Sequence, residues 1–325
     1  MDKIFQYVCD LYPAYKIDTK LKKKLFYIFF SLLKFFLKGP FVMNFENFKI
    51  YAYPEKGDYT RFMLTRVSIP DPGERKIIVQ NLKNNKNIFI DCGANAGFYS
   101  LDVATKVENV SVYAFEPSKK EKIFLKNNID LNEIKNIKII DKAVGDKNDK
   151  AIFNKFNNSS GGGFVTSDVL EVNNSYQVDV VTLDSFFKNQ FSNDNTSIFI
   201  KIDLEGYDIK AISGAKEILL NYDCAVIFEF SKLTMKQKDY SIEDIQFFID
   251  RGFKLYDMYG IELNCEDLET KISEGDKRTK ERVEQRRSRV KTTEKLRQEQ
   301  IDDQYSIKQA RLNSRVEGDY TSAMD

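Results

Sequence analysis

The sequence of 325 residues contains no histidine and no tryptophan, and it has only four cysteines. Without histidine, the chain lacks the commonest general base and the commonest metal ligand. Any proton acceptor therefore has to be a carboxylate, a lysine, a tyrosine or water. The cysteines, at positions 9, 92, 224 and 265, form no close pairs, so neither a disulfide framework nor a zinc site is indicated. We expect a protein of a reducing, cytoplasmic compartment.

A charge excess of one sign and a long apolar run are also missing. Fifty lysines and arginines against 49 acidic residues give a net charge of +1, so no overall field attracts the chain to nucleic acid. The apolar run of residues 25–37 contains Lys34 and is shorter than the roughly 20 residues of a transmembrane helix. No small-residue cleavage site follows it, as a secretory signal peptide would require.

Residues 1–44 are basic and aromatic, and we predict a helical extension there. Four lysines between positions 20 and 24 precede the apolar run, in which Tyr27, Ser31 and Lys34 recur at helical spacing. One interpretation is an interfacial helix, residues 20–38, that contacts anionic lipid at the inner face of the membrane. The other is a helix that covers an apolar face of the adjoining domain or of a dimer partner.

Residues 266–325 differ in composition from the rest of the chain. Eight arginines occur between Arg278 and Arg315, mixed with glutamate and glutamine, and no sustained apolar heptad pattern accompanies them. This pattern is typical of a solvated single helix or a disordered tail. Contact with a partner or with RNA is the alternative.

Between residues 45 and 265, short apolar segments alternate with amphipathic ones, as in an α/β domain. Strands are predicted at residues 88–91, 110–115, 137–140, 198–202, 224–230 and 253–259. Helices are predicted at residues 74–84, 97–107, 118–130, 207–221 and 241–251. This order predicts a doubly wound, mostly parallel sheet with helices on both faces.

Two segments depart from this alternation. Residues 45–66 alternate apolar and polar side chains around Lys56-Gly57-Asp58, which indicates a hairpin. Residues 151–183 contain two strand-like runs around the asparagine- and glycine-rich segment 157–163. That segment is either a lid beside a ligand crevice or the exposed tip of a hairpin.

The most informative segment is Asn-Ile-Phe-Ile-Asp-Cys-Gly-Ala-Asn-Ala-Gly, an apolar strand that ends at Asp91 and continues into a glycine turn. About twenty residues later, the next apolar strand ends at Glu116, whose carboxylate can accept from both hydroxyls of a ribose. Gly93 and Gly97 permit close approach of the backbone, and Asn95 tolerates a left-handed turn. The turn lacks the third glycine of dinucleotide sites and the lysine of ATP sites. We therefore predict a site for S-adenosylmethionine, whose amine Asp91 could reach.

The third predicted strand leads into Asp141-Lys142-Ala143, at the edge where a nucleoside base would lie. Asp141 or the neighbouring backbone could contact adenine, and a simple strand-end turn is the alternative. We include Ala94 and Ala143 among the predicted cofactor-binding positions, because each neighbours one of these groups in the sequence.

The fourth predicted strand ends in Asp203-Leu204-Glu205, so two carboxylates leave one strand end toward the same crevice. Asp203 is the first candidate for the base that accepts the proton of a methyl acceptor, and Glu205 the second. Capping of the following helix is the structural alternative. Lys201, inside the apolar strand, and Glu229, inside the next one, need charge partners if they are buried. Nothing here fixes the six oxygen ligands of a magnesium ion, and we predict no metal site.

Six segments in order carry a family resemblance. They are Phe-Ile-Asp-Cys-Gly-Ala-Asn-Ala-Gly-Phe-Tyr-Ser, Ala-Phe-Glu-Pro, Ala-Val-Gly-Asp, Val-Thr-Leu-Asp, Ile-Lys-Ile-Asp-Leu-Glu-Gly-Tyr-Asp and Ser-Gly-Ala. Over residues 75–255 the chain resembles the FkbM family of S-adenosylmethionine-dependent methyltransferases. The resemblance implies a class I, Rossmann-like methyltransferase fold and O-methylation of a hydroxyl, often on a sugar of a surface or lipid-linked glycan or on a natural-product scaffold. It places Asp91, Gly93, Asn95, Gly97 and Glu116 at cofactor positions, and Lys201, Asp203 and Glu205 in an acidic motif near the reacting centre.

The leading hypothesis is therefore a cytoplasmic O-methyltransferase that acts on a sugar hydroxyl of a glycan or a related small molecule. No nucleic-acid partner is expected, because the sequence has no Asn/Asp-Pro-Pro-aromatic run after the fourth strand. The alternatives are a methyltransferase of RNA or protein and a non-catalytic scaffold that associates through its termini. We predict three regions: the extension 1–44, the methyltransferase domain 45–265 and the tail 266–325.

Overall fold

The computed structural model describes residues 39–53, 72–82, 86–155, 163–166, 175–191, 196–229, 243–256 and 261–264. The predicted interfacial helix, the Lys56-Gly57-Asp58 turn, nearly all of the 157–163 segment and the arginine-rich tail lie outside these residues. They remain predictions, as do the domain boundaries. Within the described part of the chain, no helix is long and apolar enough to cross a membrane.

A parallel sheet of five strands forms the centre of the fold. The strands are β3 (Lys86–Cys92), β4 (Val110–Phe115), β5 (Ile137–Ile140), β10 (Thr196–Ile202) and β11 (Asp223–Phe228). They are arranged in the order β11-β10-β3-β4-β5, and every neighbouring pair is parallel. The predicted doubly wound α/β fold is confirmed.

The helices are mostly short and flank this sheet. They are α1 (Pro72–Asn81), α2 (Phe98–Lys106), α3 (Lys119–Leu131), α4 (Leu183–Phe186), α5 (Asp208–Ser213), α6 (Lys216–Asn221) and α7 (Glu243–Ile249). Every residue of β10 is buried, and so is every residue of β3 except the first. Phe89 and Phe199 are buried on one face of these strands and Ile90 and Ile200 on the other, which is why the two strands lack polar alternation.

Two strand pairs and a second sheet surround the central sheet. Strand β1 (Phe41–Asn44) pairs antiparallel with β2 (Lys49–Ala52). The backbone of β2 forms hydrogen bonds with the side chains of Asn128 in α3 and of Asn132, which directly follows α3. The inserted sheet, which separates β5 from β10 in the sequence, comprises β6 (Ala143–Val144), β7 (Asp149–Lys155), β8 (Gly163–Thr166) and β9 (Ser175–Val181) in the order β6-β9-β7-β8. Strands β7 and β8 pair antiparallel on either side of residues 156–162.

Two predicted elements differ from the structure. The single helix expected at 207–221 is divided into α5 and α6, because Asp184 accepts hydrogen bonds from the amides of Glu217 and Ile218 and so caps a new helix. At the break, a Cβ on Gly214 would lie 2.0 Å from the Gly145 carbonyl oxygen, which only glycine permits. In the described part of the strand expected at 253–259, residues 253–256, β12 (Leu255–Tyr256) pairs with β13 (Glu262–Leu263) outside the central sheet.

Candidate active site

The candidate site lies where the strand order of the central sheet reverses. From β3 the chain continues to β4 and β5 on one side, whereas β10 and β11 lie on the other. Loops leave the carboxyl ends of β3 and β10 in opposite directions at such a point and open a crevice between them. The register places Asp91 directly beside Lys201 across the two central strands. The two predicted halves of the site therefore meet at one position of the sheet.

The turn after β3 is held in a backbone conformation that depends on glycine. Gly93 has φ +80°, and a Cβ there would lie 2.1 Å from the carbonyl oxygen of Asp203. Gly97 has φ +91° and lies against Leu125, where a Cβ would be 2.4 Å from Cδ1. Asn95 adopts the left-handed φ of +52° between them. The turn thus passes close to the loop after β10 at one end and to α3 at the other.

Glu116 fixes this turn from the end of β4. Its Oε2 accepts a hydrogen bond from the Asn95 amide and its Oε1 accepts one from the Ser118 amide, both at 2.7 Å. Burial raises the pKa of Glu116 to about 7, although these two amide donors act in the opposite direction. Each carboxylate oxygen retains acceptor capacity beyond its one amide, which suits the two hydroxyls of a ribose.

Asp91 and Lys201 form a fully buried ion pair at the centre of the site. Oδ2 of Asp91 accepts from the Ser100 hydroxyl at 2.7 Å, and Oδ1 lies 3.4 Å from the Lys201 ammonium. Oδ1 has no hydrogen-bond partner within the described part of the chain, so this buried oxygen can still accept from a ligand. The Lys201 ammonium also lies 3.5 Å from Asp203 Oδ2 and 4.9 Å from the ring centre of Tyr99. Burial lowers the pKa of Lys201, but the neighbouring carboxylates outweigh it and hold that pKa above its usual value.

The loop after β10 carries the predicted acceptor-side carboxylates. The side chain of Asp203 is 50% exposed, and that of Glu205 is also exposed, on a residue with the left-handed φ of +52°. Partial burial and the charges of Asp203 and Glu229 raise the pKa of Glu205. These carboxylates therefore repel one another at the mouth of the crevice.

Capping of α5 by Asp203 or Glu205, the structural alternative, is not what the structure contains. Instead Asp208, in the first turn of α5, accepts from the amides of Gly206 and Leu204 at 3.1 and 3.4 Å. Asp208 is buried, which raises its pKa to about 7. The sequence pattern gave Asp208 no role, because it accepts from amides of the loop before it rather than from the helix amides that a capping residue binds.

The remaining predicted residues are spread around this centre. Asp141 follows β5, is largely exposed and pairs with Lys122 of α3. The backbone amide of Ala94 donates to the Phe115 carbonyl at 3.0 Å, and Ala143 lies in β6, paired with Val180 of β9. Glu229 lies just beyond β11 rather than inside it, so it is exposed and needs no buried partner.

Asp203 and Glu74 nevertheless affect Glu229. Their charges, together with partial burial, raise the pKa of Glu229. Glu74 belongs to α1 and accepts a hydrogen bond from the Tyr99 hydroxyl at 2.6 Å. No group of three or more acidic or cysteine side chains in the described ranges is arranged to hold a metal ion.

Comparison with known proteins bears on the segment that carries this site. A family model described as "Methyltransferase FkbM domain" matches residues 91–255, slightly more than half of the chain. A comparison with curated proteins finds no significant match.

Several solved methyltransferase structures show a distant similarity. Precorrin-6y C5,15-methyltransferase from Geobacter metallireducens is 12% identical with a TM-score of 0.31, over 56% of this chain and 71% of that one. A SAM-dependent methyltransferase from Aquifex aeolicus is 13% identical with a TM-score of 0.33, over 62% and 87% of the two chains. TYW2 from M. jannaschii, solved with AdoMet, is 13% identical with a TM-score of 0.31, over 66% and 74%. At these low values, it is the matched sequence segment that assigns the family.

Proposed function

Because the chain belongs to the FkbM methyltransferase family and is thus an S-adenosylmethionine-dependent methyltransferase, we propose that it methylates a hydroxyl of a sugar, in a glycan or a related small molecule. The observation that carries the proposal is the position of Asp203. This half-exposed carboxylate lies one residue beyond β10 and 3.5 Å from the buried Lys201, which in turn pairs with Asp91. The closeness of a solvent-facing carboxylate to the buried ion pair supports a role for Asp203 as the proton acceptor.

The residues present fit S-adenosylmethionine. The unused buried oxygen of Asp91 suits the cationic amine of the methionine part, and the carboxylate of Glu116 suits the ribose hydroxyls. The turn at Gly93 passes so close to the Asp203 backbone that a side chain at position 93 would not fit. When bound, the cofactor supplies a methyl group on a sulfonium centre, which leaves readily.

The chain's own task is then to orient the acceptor and to remove its proton. Asp203 would accept that proton, and the Lys201 ammonium, 3.5 Å from its Oδ2, holds the Asp203 side chain in place. Glu205, with a raised pKa, lies on the same loop and would bind a neighbouring hydroxyl of the acceptor. The ring of Tyr99 covers the Lys201 ammonium, and the Tyr99 hydroxyl donates to Glu74. The ring held in this way would keep water from the buried ion pair.

The charge of this mouth supports a neutral acceptor. Asp203, Glu205 and Glu229 are exposed carboxylates whose charges act on one another, and the cation that pairs with Asp203 among the described residues, Lys201, is buried. A phosphate backbone would meet repulsion here, whereas hydroxyl groups donate to carboxylates. This supports a sugar acceptor over RNA.

The test is methyl transfer from labelled S-adenosylmethionine to neutral glycosides, phosphorylated sugars and RNA, with Asp203→Asn and Asp130→Asn compared with wild type. Asp130 is an exposed aspartate of α3 paired with Lys126, so its variant controls for loss of a surface charge. We expect neutral glycosides to be the best acceptors and Asp203→Asn to reduce turnover about 100-fold or more, with unchanged binding of S-adenosylhomocysteine. Preferential transfer to RNA, or full activity of Asp203→Asn, would contradict the proposal. Cofactor binding without transfer to any acceptor would favour a binding protein.

We also propose a cytoplasmic location, with residues 20–38 at the inner membrane face. The lysines before the apolar run support it, because they would face anionic headgroups. Co-sedimentation with vesicles of anionic and of neutral lipid tests the proposal, and equal recovery in both would contradict it.

A further inference from the structure

Tyr176 connects the inserted sheet to the turn that follows β4. Its hydroxyl accepts a hydrogen bond from the Lys119 amide at 2.9 Å and donates to the Pro117 carbonyl at 3.5 Å. Both partners are backbone groups of the segment that joins β4 to α3. A side chain of β9 therefore fixes a turn that is about 60 residues away in the sequence.

The same turn carries one of the two amides that hold Glu116. The Ser118 amide, which donates to Glu116 Oε1 at 2.7 Å, lies between the carbonyl of Pro117 and the amide of Lys119. Holding the outer two groups thus sets the direction of the Ser118 amide. Burial raises the pKa of Tyr176, against the hydrogen bonds of its hydroxyl with Lys119 and Ser118, and the charges of Glu116 and Asp141 also raise it.

The ring of Tyr176 is itself held firmly. It is half-buried, the Lys119 ammonium lies 4.7 Å from its centre, and the ring of Phe153 lies 5.3 Å away. Phe153 and Tyr176 are direct cross-strand partners in the antiparallel pair β7–β9. The hydroxyl is therefore presented by a paired strand rather than by a loop.

We infer that Tyr176 is a positioning residue of the cofactor site, through which the inserted sheet holds the Glu116 turn ready to bind the ribose. This inference gives the inserted sheet a role. The central parallel sheet and its helices do not need that second sheet to be complete. The inference concerns cofactor binding alone, so the identity of the methyl acceptor does not affect it.

The experiment is calorimetric titration with S-adenosylhomocysteine between pH 6 and 9, on wild type and on Tyr176→Phe. We expect the variant to bind about fivefold more weakly at pH 7.5, the effect of one lost hydrogen bond. We also expect the midpoint of the pH dependence to move upward, because a less well-directed Ser118 amide stabilises the Glu116 carboxylate less. A fold defect alone would not move that midpoint, and thermal unfolding of the variant checks the fold.

Tyr222→Phe is the matched control, because its hydroxyl also donates to a carbonyl, that of Phe191, at 3.4 Å and away from the site. A second variant, Phe153→Leu, keeps the Tyr176 hydroxyl and loses the ring contact, so it should weaken binding less than Tyr176→Phe does. The inference is overturned if Tyr176→Phe retains the wild-type affinity and midpoint. It is equally overturned if Tyr222→Phe weakens binding as much, or if Phe153→Leu is the more harmful of the two sheet variants.

Discussion

At the end of β3, Asp91 is completely buried, and the Glu116 carboxylate beside it accepts hydrogen bonds from two backbone amides. At the end of β10, by contrast, Asp203 is half exposed and Glu205 is exposed. The first group of residues, which we call the cofactor half, is buried, with Asp91 held by the side chains of Ser100 and Lys201 and Glu116 by two backbone amides. The second, the acceptor half, consists of carboxylates that face solvent and repel one another. Lys201 touches both.

This difference matches what each half has to bind. A cofactor common to a whole family can be met by a buried and rigid set of groups, because its shape does not change from one member to the next. Under the proposed function, Asp203 and Glu205 meet the acceptor from an exposed loop, where side chains can change without disturbing the buried half. The strained backbone at Glu205 and Gly206 is tolerated because Asp208 accepts from two amides of that loop.

The largest expected effect comes from Gly93, where the two halves touch. In Gly93→Ala, the Cβ would lie 2.1 Å from the Asp203 carbonyl oxygen on a residue with φ +80°, so both loops must move. We expect a loss of about 3 kcal/mol or more in the free energy of unfolding and no measurable binding of S-adenosylhomocysteine. Urea unfolding and calorimetric titration measure the two effects.

Gly252→Ala is the control that separates the steric clash expected at Gly93 from the strain of a left-handed backbone. Gly252 has φ +90°, but a Cβ there meets nothing within 4 Å. We expect this variant to lose only about 1 to 2 kcal/mol and to bind S-adenosylhomocysteine normally. If the two alanine variants behaved alike, the contact between the two halves would have no special importance.

The next effect comes from Lys201, the cation that the two halves share, and it lowers stability without forcing the two loops apart. Lys201→Met leaves the buried Asp91 carboxylate without its cation, so the free energy of unfolding should fall by about 3 to 5 kcal/mol. Lys126→Met is the control: Lys126 is exposed and pairs with Asp130 one helical turn away, so its loss should cost less than about 0.5 kcal/mol. Urea unfolding of both variants at pH 7.5 measures the two losses in the free energy of unfolding. Equal effects would mean that the Lys201 pair is not essential to the fold.

Local sequence patterns predicted the strands around the site better than the long-range contacts that complete it, for a physical reason. Buried apolar strands and glycine turns leave local patterns, and the strands predicted at 110–115 and 137–140 have the same bounds in the structure. The α5–α6 break depends on Asp184 and on the Gly145 backbone, which are distant in the sequence and leave no local signal. The Tyr176 contact to the β4–α3 turn depends likewise on residues brought together only by the fold. The direct pairing of Asp91 with Lys201 follows from the order of the strands in the sheet. The alternation of strands and helices in the sequence does not determine that order.

The smallest effect that we predict separates the two halves by pH. Glu116 in the cofactor half and the buried Asp208, which holds the loop that carries Asp203 and Glu205 (the acceptor loop), both have a pKa raised to about 7 by burial. Ribose hydroxyls donate to the ionised form of Glu116, so affinity for S-adenosylhomocysteine should be full above pH 7 and fall as the pH drops below it. Between pH 8 and pH 6 we expect a loss of about tenfold, measured by calorimetric titration in buffers of equal ionic strength.

Two variants show which carboxylate causes this loss. Glu116→Gln cannot ionise, so its affinity should be low and independent of pH across this range. Asp208→Asn removes the other group that titrates near pH 7 but leaves the amides around Glu116 in place, so it should keep the wild-type pH dependence. A pH dependence that disappeared in Asp208→Asn would mean that the acceptor loop controls cofactor binding. The division between a rigid cofactor half and an independent acceptor half would then be wrong, and the contact of Gly93 with the Asp203 backbone would be the most direct route for that control.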